Sequence, residues 1–189
     1  MLAFAALVLA LAAPASADPS LIPVPIGGTP AYHPAPRWPL AGAAAFGGLR
    51  GGVQSPVRAH LELFANRRVV VVPGGIGVSG GRTTRFGFVT DALWHASSWT
   101  LEPGGVIHFA RSGMPLGELF AVWGRPLGSH VLLDFTGRVH AYVNGVERPG
   151  DPAAIPLRDG DQVVLEVGGY VPPHASFTFR PVPHSDAFA

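Results

Sequence analysis

Three histidines, His60, His95 and His108, are the residues whose type and setting could do chemistry, because neutral imidazole ligates Zn2+ or Cu2+. Histidines facing each other on paired strands have Cβ atoms ~5 Å apart, within reach of one bridging metal. His60 and His108 fall on expected strands, and His95 would close over from a loop. The chain has eight histidines, and none are spaced H-x-x-x-H or H-E-x-x-H, so a site would have to be assembled from distant segments. Against it stands the ordinary role of a lone half-buried histidine, a hydrogen-bonded residue of core or surface. Met114 is the one methionine beyond Met1, which disfavours a thioether Cu(I) carrier. The alternative use of the same region is metal-free. Trp94 and Trp99 flank His95 and would form a stacking platform for a protein, peptide or glycan. Glu62 beside His60 and Glu102 near His108 could supply acid-base or ligand-orienting carboxylates.

The elements that must position these residues are mostly strands. Val57, Ala59, Leu61 and Leu63 alternate with Arg58, His60 and Glu62, a period-2 strand with His60 on its polar face. A turn at Asn66 and Arg67 leads into an apolar run, 69–72, ended by Pro73-Gly74-Gly75. Residues 84–90 and 105–110 predict two further strands, with Trp94, His95 and Trp99 in the loop between. Leu116, Leu119, Phe120 and Trp123 recur at helical spacing after Pro115, and Gly124 stands where a helix would stop. Beyond it, 130–135 and 138–143 predict strands, Asn144-Gly145 is a type I′ turn signal, and 155–157, 162–167 and 176–180 complete the β-rich half. Hairpin, helix, hairpin and final strand is the β-grasp order. The expected fold is mainly β (α+β): a β-grasp-like mixed sheet with one short helix and an extra N-terminal β-hairpin.

Composition narrows the function classes. Residues 1–13 are all apolar and are followed by Pro14 and Ala15-Ser16-Ala17, the pattern of a signal peptide cut after Ala17. At ~1.5 Å per residue that run is too short for a permanent membrane span. Residues 18–56, rich in Pro, Gly and Ala, read as a leader or linker, 57–183 as a single domain, and 184–189 as a tail. There is no cysteine, which excludes disulfides, a thiol nucleophile, a cysteine-rich metal site and lipid attachment through cysteine. Thirteen basic and twelve acidic residues leave a net charge of +1, and no basic run exceeds Arg67-Arg68, so nucleic acid is not an expected partner. Residues 75–80 spell G-x-G-x-x-G, and Ser79 lies in a G-x-S-x-G, but both motifs need a following helix where a strand is expected. Asp159-Gly160-Asp161 lacks the twelve-residue ligand loop of a calcium site and reads as a turn.

His60-Leu61, Gly105-Val106-Ile107-His108, Leu116-Gly117-Glu118-Leu119-Phe120 with Trp123, Val143-Asn144-Gly145 and Gly150-Asp151-Pro152 together carry a resemblance. Over 57–183 the chain resembles an uncharacterised family of exported bacterial His-rich domains, marked by His-Thr-His-Asp and Gly-Val-Ile-His segments. Where the family has His-Thr-His-Asp, this chain has Leu93-Trp94-His95-Ala96-Ser97, and Arg58 replaces an earlier strand histidine. The resemblance implies histidine-metal chemistry by inference only. The stretch from Val143-Asn144-Gly145 through Leu165 is also similar to ubiquitin-like sulfur carriers. Their Gly-Gly terminus is missing, since this chain continues past Gly168-Gly169.

The sequence therefore predicts a secreted or cell-envelope, non-catalytic binding domain, with Zn2+ or Cu2+ at His60, His95 and His108, or a Trp94 and Trp99 surface for an extracytoplasmic partner. Mass spectrometry of supernatant and envelope fractions is expected to find a mature chain beginning at or near Asp18. Cytosolic protein with an intact Met1 end would overturn the export expectation.

Overall fold

Alternation of apolar and polar residues gives the first long strand two unlike faces, and the sheet is built outward from it. The computed structural model describes residues 49–50, 57–79, 83–85 and 88–179. The segments 1–17 and 184–189, and the leader apart from 49–50, lie outside the described residues. Seven strands form the main sheet: β1 (Arg58–Ala65), β2 (Arg68–Val70), β3 (Ser98–Thr100), β4 (Val106–Phe109), β5 (Val139–Val143), β6 (Val146–Glu147) and β7 (Gln162–Val167). Their order is β6-β5-β7-β1-β4-β3, with β2 also on β1. β1 and β7 run parallel, His60 opposite Gln162 through Ala65 opposite Val167, and the remaining pairs are antiparallel. The fold is mainly β with a mixed sheet and, among the described residues, a single short α-helix, α1 (Leu116–Trp123).

The other edge of β1 is shared. Arg58, Ala59 and His60 pair with β4, whereas Leu63, Phe64 and Ala65 pair with β2. The hairpin expected at the start of the domain is present, and its first strand is also the centre of the sheet. Its two-residue turn has Asn66 and Arg67 both at positive φ, 51° and 62°, the twist a tight hairpin requires. Gly104 and Gly105, with φ of 125° and 90°, turn the chain into β4. A Cβ at Gly105 would collide with the Leu61 carbonyl, so only glycine lets β4 begin this close to β1.

α1 covers one face. Pro115 is its N-cap with extended backbone, and Gly124 closes it in the left-handed region, φ 69° and ψ 34°. Leu119, Phe120 and Trp123 pack with Leu61, Leu63, Ile107, Phe109, Val163 and Leu165 in the main core. Smaller ladders surround this frame. Leu49–Arg50 and Val78–Ser79 flank Trp94–His95, so part of the expected leader and part of the expected loop are strand. The 84–90 segment divides into Thr83–Arg85 and Phe88–Asp91, which pair with each other. The run 130–135 divides at Leu133, φ 54°, into Val131–Leu132 and Phe135–Thr136. Residues 176–179 form no ladder and cross the outer face instead, because β7 already has β5 on one edge and β1 on the other. Among the described residues, no helix is long and apolar enough to cross a membrane.

Phe120, 1% exposed, fills the space between helix and sheet. Replacing it with Ala is expected to cost ~3–5 kcal/mol by urea denaturation. A loss below about 1 kcal/mol would mean the helix does not seal this core.

Candidate functional site

Because residues at i and i+2 share a strand face, the inward set Ala59, Leu61, Leu63 and Ala65 leaves Arg58, His60, Glu62 and Phe64 on the outer face of β1. Cross-strand register adds Trp99 and His108 from β3 and β4, Gln162, Val164 and Glu166 from β7, and His140 and Tyr142 from β5. Trp99, His108 and Arg58 form one row across three strands. The extended C-terminal segment, residues 171–179, lies against this face.

His60 is buried, 3% exposed, and its ring is held on three sides. Nδ1 lies 2.7 Å from Gln162 Oε1, Nε2 lies 2.7 Å from the Gly104 carbonyl, and Phe177 stacks on the ring at 3.7 Å and 9°. Burial pushes its pKa below the ordinary value, against the raising effects of Gln162, Glu62 and Gly104. The neutral ring has one N–H, which the Gly104 carbonyl accepts. Nδ1 is then an acceptor, satisfied when the Gln162 amide turns its NH2 inward; Gln162 Nε2 is otherwise buried without a partner. Glu62 Oε1 lies 3.9 Å from His60 Nδ1, and the Glu62 carboxylate accepts a 2.8 Å bond from His174 Nδ1 in the crossing segment. Phe179 meets Phe177 edge-on at 4.9 Å and lies 5.1 Å from the Arg58 guanidinium.

His95 and His108 come together on a different group. The His95 ring lies 3.9 Å from that of Trp99, tilted by 35°, and its Nδ1 donates to the Ala96 carbonyl at 3.0 Å. His108 lies 5.7 Å from Trp99 at 16°. The indole is therefore in contact with both histidines, and at 1% exposure it belongs to the interior. Trp94 is half-buried. His60 stands opposite Val106, diagonal to His108, a relation that puts Cα atoms ~7–8 Å apart. Among the described residues, no three His, Asp or Glu side chains are grouped as metal ligands. Glu62 joins the His60 side of the face as its spacing suggested.

Sequence reasoning passed over Gln162, His174, Phe177 and Glu166. Gln162 and Glu166 share the outward parity of one strand, a signal blurred by Val164 between them. His174 and the two phenylalanines carry no motif, and their contact with β1 spans more than a hundred residues of sequence, 112 for His174 and Glu62. No protein-family model, no curated protein and no solved structure matches this chain.

A depressed His60 pKa ties stability to pH in a defined direction. The folded state resists protonation, so this contribution is complete above the ordinary pKa of 6.5 and is lost as pH falls through the lower folded value. The titratable neighbours facing the ring are Glu62 and His174. Urea midpoints at about pH 7.5 and about pH 5.5 are expected to fall on acidification in the wild type, and to fall less in His60→Gln. An equal fall in both proteins would remove His60 from the account.

Proposed function

We propose that this chain is an exported, non-catalytic binding domain whose outer sheet face receives an extended, aromatic-bearing segment of an extracytoplasmic protein. The observation that carries the reading is the way the chain's own residues 171–179 occupy that face. Phe177 stacks on His60, Phe179 meets Arg58, and His174 pairs with Glu62. A flat imidazole, a guanidinium and a carboxylate spaced along one strand match alternate side chains of an extended peptide. The occupant is lightly held. Phe177 and Phe179 remain partly exposed and His174 is exposed, so a competing segment with similar side chains would displace it at modest cost.

Chemistry at the histidines has less support. Both His60 nitrogens are engaged, and the Ser97 hydroxyl is bonded to Glu118 at 3.0 Å. Trp99 contributes a buried wall beside the face rather than an exposed platform.

The test uses the full chain and a labelled peptide with the sequence of residues 171–179. A tethered segment competes with the free peptide at high effective concentration. Phe177→Ala with Phe179→Ala, which weakens the tethered copy, is expected to tighten peptide binding by at least about tenfold, and adding Arg58→Ala is expected to weaken it again. Absence of binding to both the wild type and the double variant overturns the reading. Calorimetric titration with Zn2+ or Cu2+ separates the metal alternative. A one-site heat that disappears in His60→Ala and His108→Ala would put metal ligation in first place.

A further inference from the structure

At the other end of the same face a concavity of about 320 Å3 is lined by His140 and Tyr142 of β5, Glu166 of β7, and Tyr170 beyond it. Glu166 is 2% exposed. Its carboxyl is hydrogen-bonded by the Val171 backbone, while Oε1 is buried with no hydrogen-bond partner. Its strand neighbours are His140 on one side and Phe64 on the other. Phe64, Val164 and Val171 form an apolar cluster on which Tyr142 packs. A buried carboxyl with an idle oxygen costs stability wherever nothing compensates it, and a hydrophobic residue of similar size would serve this cluster better.

We propose that this concavity is a binding site for a small organic cation, an alkylammonium or guanidinium group, with Glu166 Oε1 as its acceptor and the Tyr142 and Tyr170 rings as its walls. An N–H donor supplies the hydrogen bond that Oε1 lacks, and a cation in contact with tyrosine rings is held by their negative faces. The local charge agrees. Glu147 adds a second carboxylate, bonded to His140 at 3.0 Å, and the exposed Arg138 stands where water screens it. No three His, Asp or Glu side chains among the described residues are grouped for a metal ion, which favours an organic cation. Tyr142 and Glu166 feel each other: burial first and Glu166 next push the Tyr142 phenol up, and burial pushes the Glu166 carboxyl up. The proposal does not rest on the peptide reading: its acceptor and walls are Glu166, Tyr142 and Tyr170, and the crossing segment reaches it only through the Val171 backbone.

The test is titration of the full chain with n-butylammonium, followed by NMR shifts of the Tyr142 and Tyr170 rings, with 1-pentanol as the neutral analogue of similar shape. The amine is expected to shift both rings saturably in the ~1 mM range, and pentanol to bind at least about tenfold more weakly. Glu166→Gln should reduce amine affinity by at least about tenfold, and Glu118→Gln, on the helix at the other side of the sheet, should leave it unchanged. Glu166→Gln should also raise the thermal midpoint at about pH 8. A raised folded pKa contributes stability below the ordinary value of 4.5 that is lost as pH climbs through the raised one, a loss the amide does not suffer. A variant that is more stable but binds less cannot be dismissed as misfolded. In the wild type, affinity should fall on acidification through the raised Glu166 value as the carboxyl takes up its proton, with His140, Glu147, Tyr142, Tyr170 and Arg138 as the other groups facing the site. The proposal is overturned if the amine shifts neither ring, if pentanol binds as well, or if Glu166→Gln binds with wild-type affinity.

Discussion

The parallel pairing of β1 with β7 joins residues 60–65 to residues 162–167, the two ends of the described domain. β5 and β6 attach through β7, and β2, β3 and β4 attach through β1, so among the described strands the two halves of the sheet join through this ladder. It also fixes parity. Leu61 and Leu63 stand opposite Val163 and Leu165 on the helix side, and His60 and Glu62 stand opposite Gln162 and Val164 on the outer side. A one-residue slip would turn His60 and Glu62 into the core and Leu61 out of it, at a cost no other part of the sheet could offset. The ladder is also the least local strand pairing among the described residues, about a hundred residues apart, so its loop-closure entropy must be met before the core forms.

Parity explains why the outer face is polar yet buried. Such a face could remain open to water, as one side of an antiparallel sheet often does. Here residues 171–179 cross it and remove water from His60, Gln162 and Glu166, so each group then needs a partner. His60 is satisfied in either protonation state, because a turn of the Gln162 amide presents oxygen to an N–H or NH2 to a lone pair. Glu166 is not satisfied, since one oxygen has the Val171 backbone and the other has nothing. The two ends of the face therefore differ in kind. One is a closed polar network with an occupant, and the other is an open concavity with an unmet acceptor.

Much of the frame was legible in the sequence because it depends on local periodicity. The alternation through 57–63, the stripe of Leu116, Leu119, Phe120 and Trp123, and Asn144-Gly145 with φ of 53° and 78° each encode their own geometry. Local rules failed where tertiary pairing decides. Residues 176–179 have the composition of a strand but meet a sheet whose nearest strands are already paired on both edges. The site was less legible still. His60, His95 and His108 were identifiable by type, but whether rings meet depends on register between strands far apart in sequence. That register put Trp99 against His95 and His108, and Gln162 against His60. Glu166 resembled an ordinary solvated strand residue, and its burial follows from Phe64 and Val171, which no local window contains.

Crossing residues 171–179 also bear on both ends of the face at once. Their first residue, Val171, supplies the backbone bond to Glu166, and His174 and Phe177 reach Glu62 and His60 further along. Gly168 and Gly169, at φ of 76° and 149°, let the chain leave β7 and double back over its own sheet; a Cβ on Gly169 would strike the Arg67 side chain. A segment that departs through two glycines and carries half-exposed rings is held, among the described residues, chiefly by those contacts and by Val171 in its apolar cluster. If it lifts, water returns to His60 and Glu62, and the far end loses the Val171 bond that holds the Glu166 carboxyl in place. Under the two proposals made above, an occupant at one end would be felt at the other through a single piece of backbone, a physical connection that requires no change in the sheet itself.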